Sequence, residues 1–127
     1  MLITINSNED IPIYLQIRQQ IINGIASGEL KTGDALPSVR QLAFDIGVNM
    51  HTVNKAYALL RTEGHVNMHG RKGAVIAERT EAGEDNIIEI RTRMNQLITE
   101  AKVKGLSSED VFKMVKDILS DEKGASK

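Results

Sequence analysis

Residues 36–73, LPSVRQLAFDIGVNMHTVNKAYALLRTEGHVNMHGRKG, constrain this chain more than any other stretch. Pro37 disfavours helix upstream of itself. Ser38 is placed to accept a bond from the backbone N–H of Gln41 while the Gln41 side chain reaches back, a capping box that opens a short helix. Gly47 ends that helix with a residue that tolerates the left-handed conformation. Asn49 then offers a second N-cap after a connection of about three or four residues, the length that sets two helices at a steep angle. The expected element is a helix-turn-helix.

The second helix of the pair is expected over residues 50–63, with Gly64 closing it. Val53, Ala56, Tyr57 and Leu60 fall at the i, i+3, i+4 and i+7 positions of a buried stripe. His51, Lys55, Ala58 and Thr62 fall on the opposite side, flanked by Thr52 and Asn54. Such a face, polar at its N-terminal end and small beyond, fits a major groove about 12 Å wide. A solvated face is the ordinary reading of any amphipathic helix; the preceding capped helix and the segment that follows favour the groove. That segment pairs His65-Val66-Asn67-Met68 with Ala74-Val75-Ile76-Ala77 around the turn His69-Gly70-Arg71-Lys72-Gly73, a two-stranded hairpin or wing. Arg71 and Lys72 at its tip are placed for phosphates or a minor groove, where contacts add affinity more than sequence information.

Net charge gives no sign of a polyanionic partner, because 16 Lys and Arg stand against 17 Asp and Glu for −1 at pH 7. The distribution is uneven. Residues 1–79 carry 8 cations and 7 anions, residues 80–127 carry 8 and 10, and residues 40–72 carry 5 and 2. Positive charge is therefore local to the motif, and non-specific DNA affinity should be modest and salt-sensitive. The absence of cysteine excludes a disulfide framework and thiolate chemistry and fits a reducing cytoplasm. No basic-then-apolar leader opens the sequence, and nowhere do about 18 apolar residues run together. A soluble cytoplasmic protein with no membrane partner is expected.

Ahead of the motif, Pro12 pre-sets a helix start, Tyr14, Ile17, Ile21 and Ile25 form an apolar stripe, and Gly28 stops the helix. Thr32-Gly33-Asp34 reads as a turn. The expectation is a mainly α fold with a small β-hairpin: a winged helix-turn-helix domain over residues 10–79, a linker over 80–85 (TEAGED to its last residue), and a helical tail over 86–121. In the tail, Ile87, Ile90, Met94, Leu97 and Ala101 repeat at 3-4-3-4 spacing, widened by Ile88 and Ile98. Gly105 breaks this helix, Ser107 caps the next with Asp110 at its third position, and Val111, Phe112, Val115, Ile118 and Leu119 make a second apolar face. Two helices this small cannot enclose a core alone. A second copy of the same element is the expected partner, making the tail a dimerisation element of a two-fold homodimer; packing back onto the first domain is the alternative. Residues 123–127 read as frayed.

With these motifs in hand, the chain resembles the GntR family of bacterial transcription regulators over residues 12–73, through the blocks GELKTGDALPSVRQLA and TVNKAYALLRTEG. The short two-helix tail looks like that of the YtrA subfamily, in which tails dimerise. The resemblance implies a dimeric winged-helix repressor on a palindromic operator, often that of a neighbouring transporter operon. It places DNA contacts at Arg40, at Asn49, His51, Thr52 and Lys55 on the recognition helix, and at His69, Gly70 and Arg71 on the wing. Ser38 and Lys72 complete the candidate set. Met50-His51 departs from the subfamily's usual Pro-Asn, and Gly73-Ala74-Val75 from its usual G-T-F-V.

Enzymatic chemistry finds no footing, since no nucleophile motif, phosphate loop or dinucleotide fingerprint occurs. His51, His65 and His69 all lie in the motif half, and the His65/His69 pair lacks a third ligand nearby in sequence, so no metal or other cofactor is expected. Two alternatives stand beside the DNA-binding reading. A winged helix used as a protein-interaction module would want an apolar outward face, against which His51, Lys55 and Thr62 argue. A small effector could instead gate the same regulator from a crevice between tail and domain.

Overall fold

Pro12 opens helix α1 (Ile13–Ser27), its carbonyl accepting the amides of Leu15 and Gln16, and Gly28 closes it at φ 86°. The computed structural model describes residues 3–125, with side chains to residue 120. Helix α2 (Val39–Ile46) and helix α3 (Met50–Thr62) follow, then strand β1 (Val66–His69), a 3-10 turn (Gly70–Lys72), strand β2 (Gly73–Ile76), and helices α4 (Glu84–Val103) and α5 (Ser108–Ala125). The chain divides between Arg79 and Thr80 into two compact units.

In the first unit α3 packs against both α1 and α2. The expected stripe is buried: Val53, Ala56 and Leu60 have no exposed surface, and neither do Ile17 and Ile21 of α1 or Val66 of β1. Truncating any of the larger of these to alanine costs about 2–5 kcal/mol, transfer and cavity terms together. Tyr14 and Ile25 pack against this core half-buried.

The hairpin is antiparallel, with Val66 opposite Ile76 and His69 opposite Gly73. Its first strand lies one residue later than expected, so His69 ends β1 instead of opening the turn. It also gains a neighbour that alternation did not reveal. Residues 33–36 run along β2, with Gly33 N–H and Leu36 N–H donating to the carbonyls of Ile76 and Ala74, Ile76 N–H donating to Asp34, and Ala35 bridging Val75. The wing is thereby tied to the segment leading into α2.

The domain start expected at residue 10 is too late. Ile3 belongs to the buried core and Ile5 packs against it. The arm is held by two glutamines one turn apart on α1 that act as surrogate strand backbone. Gln20 exchanges bonds with Thr4 N–H and C=O at 2.9 and 2.6 Å, and Gln16 does the same with Asn6 at 2.9 Å while also donating to the Ile11 carbonyl. Gln16 is buried, and these bonds satisfy its amide.

In the second unit, α4 begins at Glu84, within the segment expected to be linker. Glu84 and Asp85 fall in its first turn, where the helix dipole favours carboxylates. Gly105 turns the chain at φ 100°. The next cap is reciprocal: Asp110 N–H donates to the Ser107 hydroxyl at 3.0 Å and Ser107 N–H to the Asp110 carboxylate at 2.9 Å. Helix α5 runs on to Ala125, past the expected fraying point at residue 123; Ser126 and Lys127 lie outside the described residues.

Candidate nucleic-acid interface

Two caps and one left-handed glycine fix the helix pair. Ser38 accepts from the Gln41 amide at 3.0 Å, Gly47 takes φ 69°, and the Asn49 side chain accepts from the His51 amide at 2.7 Å. Half of the expected capping box is absent, because the Gln41 side-chain amide donates forward to Asp45 at 2.7 Å instead of reaching back. The i, i+4 carboxylate on the same helix face is a charged acceptor for the Gln41 Nε2–H, and meeting it turns the side chain away from the Ser38 N–H that its Oε1 would have accepted.

The N-terminal ends of α2 and α3 border an open cleft of about 620 Å³ lined by Val39, Asn49, Met50, His51 and Asn54. Arg40, Asn49, His51, Asn54 and Lys55 are exposed and Thr52 is half-buried. Ala58, expected on the outward face, is itself half-buried, so that face is narrower than helical periodicity implied. Val39, Met50 and Asn54 are additions to the candidate set. Asn54 carried a readable signal, since it sits one turn beyond Met50 and its amide is the group that pairs two-fold with an adenine edge.

Lys55 does not stand free on the recognition face. Its ammonium lies 4.1 Å from the centroid of the Tyr14 ring, which belongs to α1. One turn further along α1, Arg18 grips Glu63 just beyond α3 with two bonds of 2.6 and 2.7 Å, and its pKa is raised chiefly by that bond. The two anions within residues 40–72 are thus both engaged, Asp45 by Gln41 and Glu63 by Arg18. The exposed cations Arg40, Arg61, Arg71 and Lys72 dominate the local field.

Arg71 and Lys72 occupy the exposed 3-10 turn of the wing, between exposed His69 and half-buried Gly73. Gly70 at φ 42° and Gly73 at φ 70° supply backbone angles that side-chain-bearing residues seldom adopt. Among the described residues no group of three or more His, Cys, Asp or Glu is arranged to hold a metal ion.

Ile87, Ile90, Met94 and Ile98 line one open groove of about 580 Å³ with Ala82, Asn86, Arg91 and Asn95. Ile90 and Met94 also line an adjoining groove with Leu97, Arg93, Gln96 and Glu100. On α5, Phe112, Val115, Ile118 and Leu119 are exposed, as is Met114, which the sequence reading omitted, while Val111 is half-buried. No residue of α4 is buried.

A capped helix pair, α1 packed against α3 and a basic hairpin after it define a winged helix-turn-helix DNA-binding protein. The profile of the bacterial regulatory proteins of the gntR family matches residues 13–76, and the chain belongs to that family. It is a transcription regulator and not an enzyme. It is similar to the HTH-type transcriptional repressor YtrA of Bacillus subtilis (strain 168), 38% identical over 99% of this chain and 98% of that one. Its structure is similar to that of a transcriptional antiterminator from Listeria monocytogenes EGD-e, with a TM-score of 0.88 and 31% identity over 97% of this chain and 93% of the other. The chain is also similar to the DNA-binding domain of AraR solved in complex with operator ORE1, with a TM-score of 0.51 and 25% identity over 61% of this chain and 94% of that one. Among the described residues no helix is long and apolar enough to cross a membrane.

Proposed function

We propose that this protein is a cytoplasmic repressor that binds a palindromic operator as a homodimer, reading it with Asn49 at the N-cap of α3 and His51 and Asn54 within it, and gripping its backbone with Arg40, Lys55, Arg71 and Lys72. One observation carries the DNA reading. The α2–α3 cleft, which presents Asn49, His51 and Asn54, and the basic wing tip are exposed surfaces of one unit, with Glu63 held by Arg18 and Asp45 hydrogen-bonded to Gln41. Ser38, Gly70 and Thr52 serve as backbone-positioning groups, and His69 flanks the wing. The exposed His51, Asn54 and Lys55 of α3 disfavour a protein-interaction module, which would want an apolar face there.

The apolar faces of α4 and α5 support the homodimer. Ile87, Ile90, Met94 and Leu97 are each about half exposed, as are Ile118 and Leu119, and Phe112 more so, a density of apolar surface that a lone chain rarely leaves in water. Two linked half-sites then bind as one event. Repression is supported by similarity to a named repressor, and a neighbouring transporter operon as target rests on the subfamily resemblance alone.

The test selects duplexes from random-sequence DNA with the full chain and measures mass by sedimentation. An inverted repeat recovered by a dimer is the expected result. Ile90→Glu with Leu97→Glu should give folded monomers whose affinity for that repeat collapses. A dimer that protects a single non-palindromic site, or a variant that stays dimeric, refutes the corresponding part.

A further inference from the structure

The Lys55–Tyr14 contact joins two helices that the recognition motif treats separately. Tyr14 lies at the start of α1, outside the helix pair, and its body packs against the core, so packing sets the place of its ring and the lysine does not. Lys55 is exposed on α3 and its four-carbon stem is free to wander. Its ammonium nevertheless rests 4.1 Å from the ring centroid, within the range where the negative face of an aromatic attracts a cation. The bidentate Arg18–Glu63 pair holds the next turn of α1 to the end of α3, so the ring and the recognition helix move together.

Resting on the DNA-binding reading above, we infer that Tyr14 is a positioning residue for DNA binding: its ring holds the Lys55 ammonium at the α1 edge of the recognition helix, where it meets a phosphate and not a base. A lysine that reads a base edge must extend from the centre of the recognition face into the groove. One seated on a ring of α1 is drawn off that centre. The ring covers only one side of the ammonium, leaving N–H donors for a phosphate oxygen. The ordering cost of the flexible stem is met before DNA arrives, which is the advantage of preorganisation.

The experiment uses the full chain, a duplex recovered by selection from random-sequence DNA with the wild-type protein, and a scrambled duplex of equal length, each titrated at several salt concentrations. Tyr14→Leu is expected to weaken binding to both duplexes about three- to tenfold and to flatten the salt dependence as much as Lys55→Met does. The double variant should be no worse than either single one. Tyr14→Phe and Tyr14→Trp keep the ring face and should stay within about twofold of wild type, an ordering that a purely structural role would not produce. Independently of any variant's folding, the ring current should shift one lysine ε-methylene resonance upfield in the wild-type NMR spectrum, and Lys55→Met should remove it. Wild-type affinity and salt slope in Tyr14→Leu, additive losses in the double variant, or no shifted lysine resonance each overturn the inference. Lys55→Met failing to weaken a duplex the wild type binds overturns it too, while the broader DNA reading survives. A wild-type protein that recovers no duplex sinks that reading first.

Discussion

The hydroxyl of Tyr57, inside the recognition helix, donates to the carbonyl of Pro37 at 2.8 Å. That bond ties α3 to the residue before Ser38, the N-cap of α2, and adds to the α2–α3 packing in placing Arg40 relative to His51 and Asn54. Tyr57 is buried, and burial pushes its phenol well above the ordinary value of 10.0.

Tyr57→Phe should therefore cost about 1 kcal/mol of stability, the worth of one partly buried hydrogen bond. Binding to selected duplex should suffer more than binding to scrambled duplex, because the helix pair loses its register. A pH effect follows as well. Above pH 10.0 the unfolded chain ionises Tyr57 while the folded chain keeps it neutral, so stability falls as pH rises through that value. Denaturant melts from neutral to alkaline pH check this, and the Phe variant should show a shallower alkaline loss.

Arg18 and Glu63 form the bidentate bridge between α1 and the end of α3, with side chains 18% and 31% exposed. Partial exposure and ideal geometry together place its coupling at about 0.5–1.5 kcal/mol. A double-mutant cycle with Arg18→Met and Glu63→Gln, read by denaturant unfolding, measures it. A coupling indistinguishable from zero would show the bridge to be incidental.

Arg71→Ala should weaken selected and scrambled duplexes alike and lower the salt slope by about one unit per protomer, as expected for a phosphate contact at the wing tip. Arg40→Ala, at the start of α2, is expected to be worse on selected duplex, by about 1–3 kcal/mol. Lys116→Ala on α5 is the control and should change little. Equal, small losses for Arg40 and Lys116 would remove the helix pair from the DNA interface.

In the tail, Asp110 accepts from the Ser107 backbone and hydroxyl, and these bonds hold its carboxyl below the ordinary 3.8. The carboxylate cap is fully present above that value and is lost as pH falls through the lowered one, so α5 should lose stability at acid pH. Asp110→Asn should flatten that acid response in circular dichroism. An unchanged acid limb would show that other carboxylates govern it.

What the sequence determined by itself was most of what is decided within a helical turn, the Gln41 side chain excepted, which turns to the Asp45 carboxylate four residues on instead of back to its cap. The caps at Ser38, Asn49 and Ser107, the left-handed stop at Gly47 and the buried stripe of α3 depend on residues two to five apart, whose geometry the backbone imposes. The candidate interface was legible to the same extent, because caps and periodicity orient Arg40 and His51. Tertiary structure alone decided the long-range partners. The arm at Thr4 and Asn6 finds Gln20 and Gln16 only once Ile3 is drawn into the core. Ala35 meets Val75 across 40 residues of chain, and Lys55 meets Tyr14 because α1 packs against α3. Each of these pairs is chosen by which surfaces the buried apolar side chains bring together, and one-dimensional spacing does not carry that choice.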